Sequence, residues 1–184
     1  IDARFDGDVK YHQGFSSIMK TGNDKEVYLK IMHNPSHLEA VAPVVQGLTR
    51  GKSDKYLKDE KKIIPIIIHG DAAIAGQGIV YEVLQMAQLD GYRAGGSVHI
   101  VINNQVGFTT DFDDARSSVY STGVASIVEA PVIHVNGDDP EAVVCTNFAR
   151  ATESLQLPQP TSLAIRMLSP VPSDANTAKR SITP

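Results

Sequence analysis

The sequence predicts an α/β fold built on a parallel sheet, and three observations predict it. Residues 63–68, Ile-Ile-Pro-Ile-Ile-Ile, and residues 98–102, Val-His-Ile-Val-Ile, are short β-branched runs of the kind that form buried strands. Each run leads into polar, glycine-bearing text: His69-Gly70-Asp71-Ala72-Ala73 after the first, Asn103-Asn104-Gln105-Val106-Gly107 after the second. Between them, residues 79–89 set Ile79, Val80, Val83, Leu84 and Ala87 at helical spacing, with Glu82, Gln85 and Gln88 between. Strand, helix and strand in that order make a parallel crossover.

The remaining elements follow in order. Residues 27–32 alternate weakly and read as a strand. Residues 54–62 are dense in Lys, Asp and Glu and read as a solvated connector or surface helix. Gly91, Gly95 and Gly96 end the helix that begins near residue 79. Residues 109–118 read as a polar loop, 121–129 as a short helix and 132–135 as a third strand. Asp138-Asp139-Pro140-Glu141 opens another helix, with proline in its first turn. Strands alternating with helices imply a doubly wound unit. The text then changes, with Pro158, Pro160, Pro170 and Pro172 among Ser and Thr. The chain therefore divides into an α/β domain, 1–144, and a Pro/Ser/Thr-rich tail, 145–184, expected to be poorly ordered. Within that tail residues 162–168 read as a stray strand.

The 184 residues, 42% apolar and 21% charged, suit one globular core. A net charge of −4 gives no electrostatic basis for nucleic-acid binding. No apolar run approaches the length of a membrane span. A single cysteine, Cys145, cannot form an internal disulfide and reads as an inert thiol. The sequence opens on Ile1 and reads as an excerpt, incomplete at both ends.

In open α/β sheets ligands collect at the carboxyl ends of the strands. Here those ends carry the Asp71 carboxylate and the Asn103 and Asn104 carboxamides, spaced as one crossover requires. Such an oxygen-rich set suits a hard cation such as magnesium, which keeps phosphate oxygens among its ligands. The same residues are also ordinary turn formers, and spacing alone leaves both readings open.

Longer text narrows the choice. Gly70-Asp71-Ala72 followed by Asn104 resembles the thiamine-diphosphate motif, with Ala72 where the common motif has glycine. Gly7-Asp8-Val9-Lys10-Tyr11-His12, Asn34-Pro35-Ser36-His37-Leu38-Glu39 and His69-Gly70-Asp71-Ala72-Ala73 resemble one family. Ile102-Asn103-Asn104-Gln105-Val106-Gly107-Phe108 and His134-Val135-Asn136-Gly137-Asp138-Asp139 match it too. It is the decarboxylating dehydrogenase component of the 2-oxoglutarate dehydrogenase complex, and the resemblance runs from residue 7 to residue 144.

The resemblance implies the diphosphate half of a thiamine-diphosphate-binding α/β domain, with thiamine diphosphate and Mg2+ as cofactors. It assigns Asp71, the Asn104 side chain and the Val106 backbone carbonyl to the metal. It sets Asp71, Ala72 and Ala73 beside the diphosphate, Ser36 beside cofactor and substrate, and Leu38 against the cofactor. His12 would contact the 2-oxo acid and act in catalysis. Read without the resemblance, Ser36 and His37 are turn or capping groups and His12 is structural. His69 would support the site or be structural, and His37, His99 and His134 receive no catalytic role.

The implied parent reaction is oxidative decarboxylation of 2-oxoglutarate in the tricarboxylic acid cycle, with succinyl transfer to the lipoyl group of the acyltransferase. The implied partners are dihydrolipoyl succinyltransferase and dihydrolipoyl dehydrogenase, with a homodimeric full-length protein. The implied setting is bacterial cytoplasm or mitochondrial matrix. Two alternatives stand beside it: a 2-oxoadipate dehydrogenase component, and a truncated non-catalytic product that associates with full-length subunits. The family's Ala-His-Arg-Gly-Arg and Gly-His-Asn-Glu segments have no counterpart within 1–184, so the isolated chain is expected to be inactive.

Overall fold

The structure is a computed structural model that describes residues 12–34, 37–107, 109–146 and 163–168. Ser36, the Gly7 to Tyr11 part of the first motif, Phe108 and most of the tail lie outside the described residues.

The first element is a hairpin. Strand β1, Phe15–Lys20, pairs antiparallel with β2, Glu26–Ile31. Thr21 closes the turn: its N–H donates to the Lys25 carbonyl at 2.8 Å and its hydroxyl donates to the same oxygen at 3.1 Å. The sequence reading anticipated β2 and not β1, whose Phe-Ser-Ser-Ile-Met-Lys text carries no clean alternation.

Helix α1, Val41–Lys52, follows and was not anticipated. Gly47, Gly51 and three valines make it a poor helix former on propensity. Packing supplies what propensity lacks: the fully buried Ala42 meets Ile67 and Val83. Pro43 is tolerated because it sits in the first turn, where its missing N–H has no intrahelical partner to lose. The charged run beyond α1 resolves into a π-helical turn, Ser53–Leu57, and a 3-10 turn, Glu60–Lys62, capped by the Asp59 carboxylate accepting from the Lys61 N–H at 2.9 Å.

The sheet is parallel throughout, as expected. Its strands are β3, Ile66–Gly70; β4, Val98–Asn103; β5, Val132–Asn136; and β6, Leu163–Leu168. Their order is β3-β4-β6-β5. Strand β3 starts after Pro65, which lacks an N–H, although its carbonyl accepts the Val98 N–H at 3.0 Å. The segment read as a stray strand is the one that joins β4 to β5. Nothing local in Leu-Ala-Ile-Arg-Met-Leu shows that it sits between two other strands.

Helix α2, Ile79–Met86, crosses between β3 and β4 where the periodicity predicts it. It buries Val80, Val83 and Leu84. Val80 and Leu84 pack on Val101 and Ile74, while Val83 joins the Ala42–Ile67 cluster. Each such side chain contributes about 1.5–3 kcal/mol on leaving water. The segment Ser121–Val128 is a 3-10 helix laid on the same core through Val124 and Val128. The helices thus secure the sheet face bearing Ile67, His69, His99 and Val101. The opposite face carries a smaller cluster of Val98, Ile64, Ile100 and Ile133.

Candidate functional site

Asp71 follows the last residue of β3, and the sheet holds it. Its N–H donates to the Ile102 carbonyl of β4 at 3.2 Å, extending the ladder by one bond. Its side chain turns inward and the residue is only 1% exposed. Such a buried carboxylate requires compensation. Two of its contacts contribute: the Gln105 N–H reaches Oδ1 at 3.2 Å, and the Arg116 guanidinium reaches Oδ2 at 3.2 Å.

The segment after β4 wraps this carboxylate. Gln105 takes a left-handed conformation, φ 59°, unusual for a side chain that is not glycine, asparagine or aspartate. The Asn104 Oδ1 accepts the Val106 N–H at 3.1 Å, forming a tight Asx-type turn. Val106 is exposed, its side chain turned toward solvent. Gly107 then comes close to the β3 loop. A Cβ there would stand 3.2 Å from the Ala72 Cβ and 3.2 Å from the Thr110 carbonyl. Ala72 and Ala73 are half-buried at this seam.

The structure therefore gathers Asp71, Ala72, Ala73, Asn104 and Val106 at one strand edge. Among the described residues, no three His, Cys, Asp or Glu side chains cluster as metal ligands. The set here has a different chemistry: one carboxylate, one carboxamide and backbone carbonyls, all hard oxygens.

The other expected residues belong to other segments of the chain. His12 is half-buried at the foot of the β1–β2 hairpin, outside the sheet. Leu38 is exposed on the turn before α1. Ser36 lies outside the described residues. The turn bearing Leu38 is nevertheless tied to the site, because Glu39, at φ 64°, sends its carboxylate to His69 Nδ1 at 2.6 Å.

That bond begins a buried chain of polar side chains. His69 Nε2 meets His99 Nδ1 at 2.9 Å, and His99 Nε2 meets the Ser97 hydroxyl at 3.0 Å. The rings stack with centroids 5.2 Å apart. Burial, and secondarily the charge of His69, pushes the His99 imidazole down to about 3, so His99 is neutral at ordinary pH. His69, read from the sequence as supporting the site or as structural, is a buried link in this chain, bonded to Glu39 and His99. Its partners Glu39 and Ser97 went unnoticed, as did Arg116. The signal for Arg116 was available: a cation set among Asp111, Asp113 and Asp114 in an otherwise acidic loop.

Comparison with known proteins places the chain in a family. The family profile described as "Dehydrogenase E1 component" matches residues 1–155. The chain is 56% identical over 140 residues to the 2-oxoglutarate dehydrogenase E1 component of Azotobacter vinelandii. It is 54% identical over 140 residues to the mitochondrial 2-oxoglutarate dehydrogenase of Dictyostelium discoideum. It is 52% identical over 143 residues to the multifunctional 2-oxoglutarate metabolism enzyme of Mycolicibacterium vanbaalenii. Each match covers 75% of this chain and 15%, 14% and 12% of the respective relative, so the chain spans about one-seventh of the length of these proteins. Among the described residues no helix is long and apolar enough to cross a membrane.

Proposed function

Since the chain belongs to the dehydrogenase E1 component family, we propose that its β3–β4 edge grips the magnesium diphosphate of thiamine diphosphate in a 2-oxoglutarate dehydrogenase. One observation carries the reading: the buried Asp71 carboxylate is wrapped by the Asn104–Gly107 backbone of the next strand. The donor set fits a magnesium ion, with Asp71 Oδ, the Asn104 carboxamide oxygen and the Val106 carbonyl as its protein ligands. The seam fits a diphosphate, since Gly107, Ala72 and Ala73 offer backbone without bulky side chains. Bound thiamine diphosphate supplies a carbon nucleophile and an electron sink for decarboxylating a 2-oxo acid.

The protein's own share is binding and orientation. Asp71 and Asn104 fix the anion's counter-ion at the strand edge. By the family resemblance Leu38 would lend apolar contact to the cofactor, and Ser36, outside the described residues, is assigned a role toward cofactor and substrate. His12 donates a hydrogen bond to the substrate's developing negative charge. The relatives are named for 2-oxoglutarate, which makes it, and not 2-oxoadipate, the substrate proposed. The succinyl product passes to a lipoyl-bearing succinyltransferase, with dihydrolipoyl dehydrogenase completing the complex. The full-length protein is a homodimer of bacterial cytoplasm or mitochondrial matrix.

Calorimetric titration of the full-length protein with thiamine diphosphate, with and without Mg2+, tests this. Asp71→Ala should abolish magnesium-dependent binding, and Asn104→Ala should weaken it less, since a neutral ligand is lost. Val106→Ile should bind normally, because only the carbonyl of Val106 is a ligand. Unchanged affinity in Asp71→Ala sinks the assignment.

A further inference from the structure

Residues 109–118 carry exposed acids at Asp111, Asp113 and Asp114, yet the loop sends its arginine inward. The side chains of Arg116 and Asp71 are 6% and 2% exposed, and their charged atoms stand 3.2 Å apart. A carboxylate so buried needs a positive charge beside it, and the guanidinium supplies the charge that a divalent cation also would. Each Asp71 oxygen already accepts a hydrogen bond, Oδ1 from the Gln105 N–H and Oδ2 from Arg116. A guanidinium and a divalent ion on one buried carboxylate repel each other strongly where water cannot screen them.

We propose that Arg116 is the resident cation of the Asp71 site, and that a divalent metal ion displaces it, drawing the 109–118 loop away from the strand edge. The inference rests on the metal-site reading of Asp71 and extends it. Arg116 keeps the carboxylate neutralised and positioned while metal is absent, and it sets a threshold that metal must overcome. Metal occupancy and loop position are then coupled, each biasing the other by the same factor.

The test uses Mn2+ alone as the probe, counted by electron paramagnetic resonance on the full-length protein without thiamine diphosphate. Removing the competitor in Arg116→Gln should tighten Mn2+ binding by about tenfold. Asp71→Asn should lose binding. In the unsubstituted protein, trypsin should cut after Arg116 faster once Mn2+ is saturating, because the side chain leaves its buried place. That measurement stands even if Arg116→Gln does not fold. Equal or weaker Mn2+ affinity in folded Arg116→Gln, or cleavage indifferent to Mn2+, overturns the proposal while leaving the metal site intact. Undiminished Mn2+ binding by Asp71→Asn overturns the metal-site reading itself.

Discussion

His99 sits in a polar chain that only one distribution of protons at a time can satisfy. The Glu39 carboxylate accepts from His69 Nδ1, so a single proton is shared between His69 Nε2 and His99 Nδ1. Whichever ring donates there fixes the direction of the His99–Ser97 bond. Burial holds His99 neutral by pushing its pKa down to about 3, whereas an unfolded chain titrates it near 6.5. Below pH 6.5 the unfolded chain therefore binds a proton that the folded chain refuses. Stability from this residue is complete above about pH 6.5 and drains away as pH falls toward 3, by at most about 1.4 kcal/mol per pH unit. Urea unfolding of His99→Gln between pH 7 and pH 4 should give a flatter profile than the unsubstituted chain. Parallel profiles would mean that His99 is already protonated when folded. The sequence placed His69 beside the site and left His99 without a role. It could not join them to Glu39 and Ser97, because that chain exists only once β3 and β4 pair and the turn before α1 folds onto them.

Two loops meet at the seam between Ala72 and Gly107, and the elements on either side hold that seam in register. Strand β3 delivers Ala72 and β4 delivers Gly107, with the Asp71 N–H bonded across to Ile102. The Gly107 N–H and carbonyl side is fixed in turn by a bridge to Thr110, whose N–H donates to the Gly107 carbonyl at 3.0 Å. A methyl at residue 107 would come within 3.2 Å of the Ala72 Cβ and of the Thr110 carbonyl. Gly107→Ala should therefore cost about 1–3 kcal/mol in urea unfolding and weaken thiamine-diphosphate binding by the full-length protein. Ala72→Gly should recover much of the loss when combined with it, a coupling that a double-mutant cycle reads directly. Additive effects would show that the two loops do not meet. At this scale the sequence was informative wherever an element announces itself locally, as β3, β4, β5 and α2 do through β-branched runs and a 3.6-residue period. It was silent on α1, whose helix rests on Ala42 burying against Ile67 and Val83, and on the interior place of β6, which is set by partners far away in the chain.

Across the whole molecule, apolar surface is distributed unlike that of a self-sufficient enzyme. The hairpin exposes Phe15, Ile18, Met19, Tyr28 and Ile31, each more than half exposed, and β3 turns Ile66 and Ile68 outward at 53% and 65%. Such surface is ordinarily covered by neighbouring protein. The site has the same one-sided character. On the proposed reading, the Asp71 and Asn104 oxygens and the neighbouring backbone would hold only the diphosphate end of the cofactor, and no role toward its aromatic end falls to this strand edge. Orientation of that end against the reacting carbon is what makes catalysis possible, and misplacing reacting groups by an ångström costs orders of magnitude in rate. Purified chain 1–184, supplied with saturating thiamine diphosphate and Mg2+, should therefore release no carbon dioxide from 2-oxoglutarate above a buffer control. In sedimentation velocity it should self-associate, because the exposed hairpin and the outer face of β3 are left uncovered among the described residues. Cofactor-dependent turnover by the chain alone would show that these residues form a complete active site, and a stable monomer would show that the exposed faces are tolerated in water.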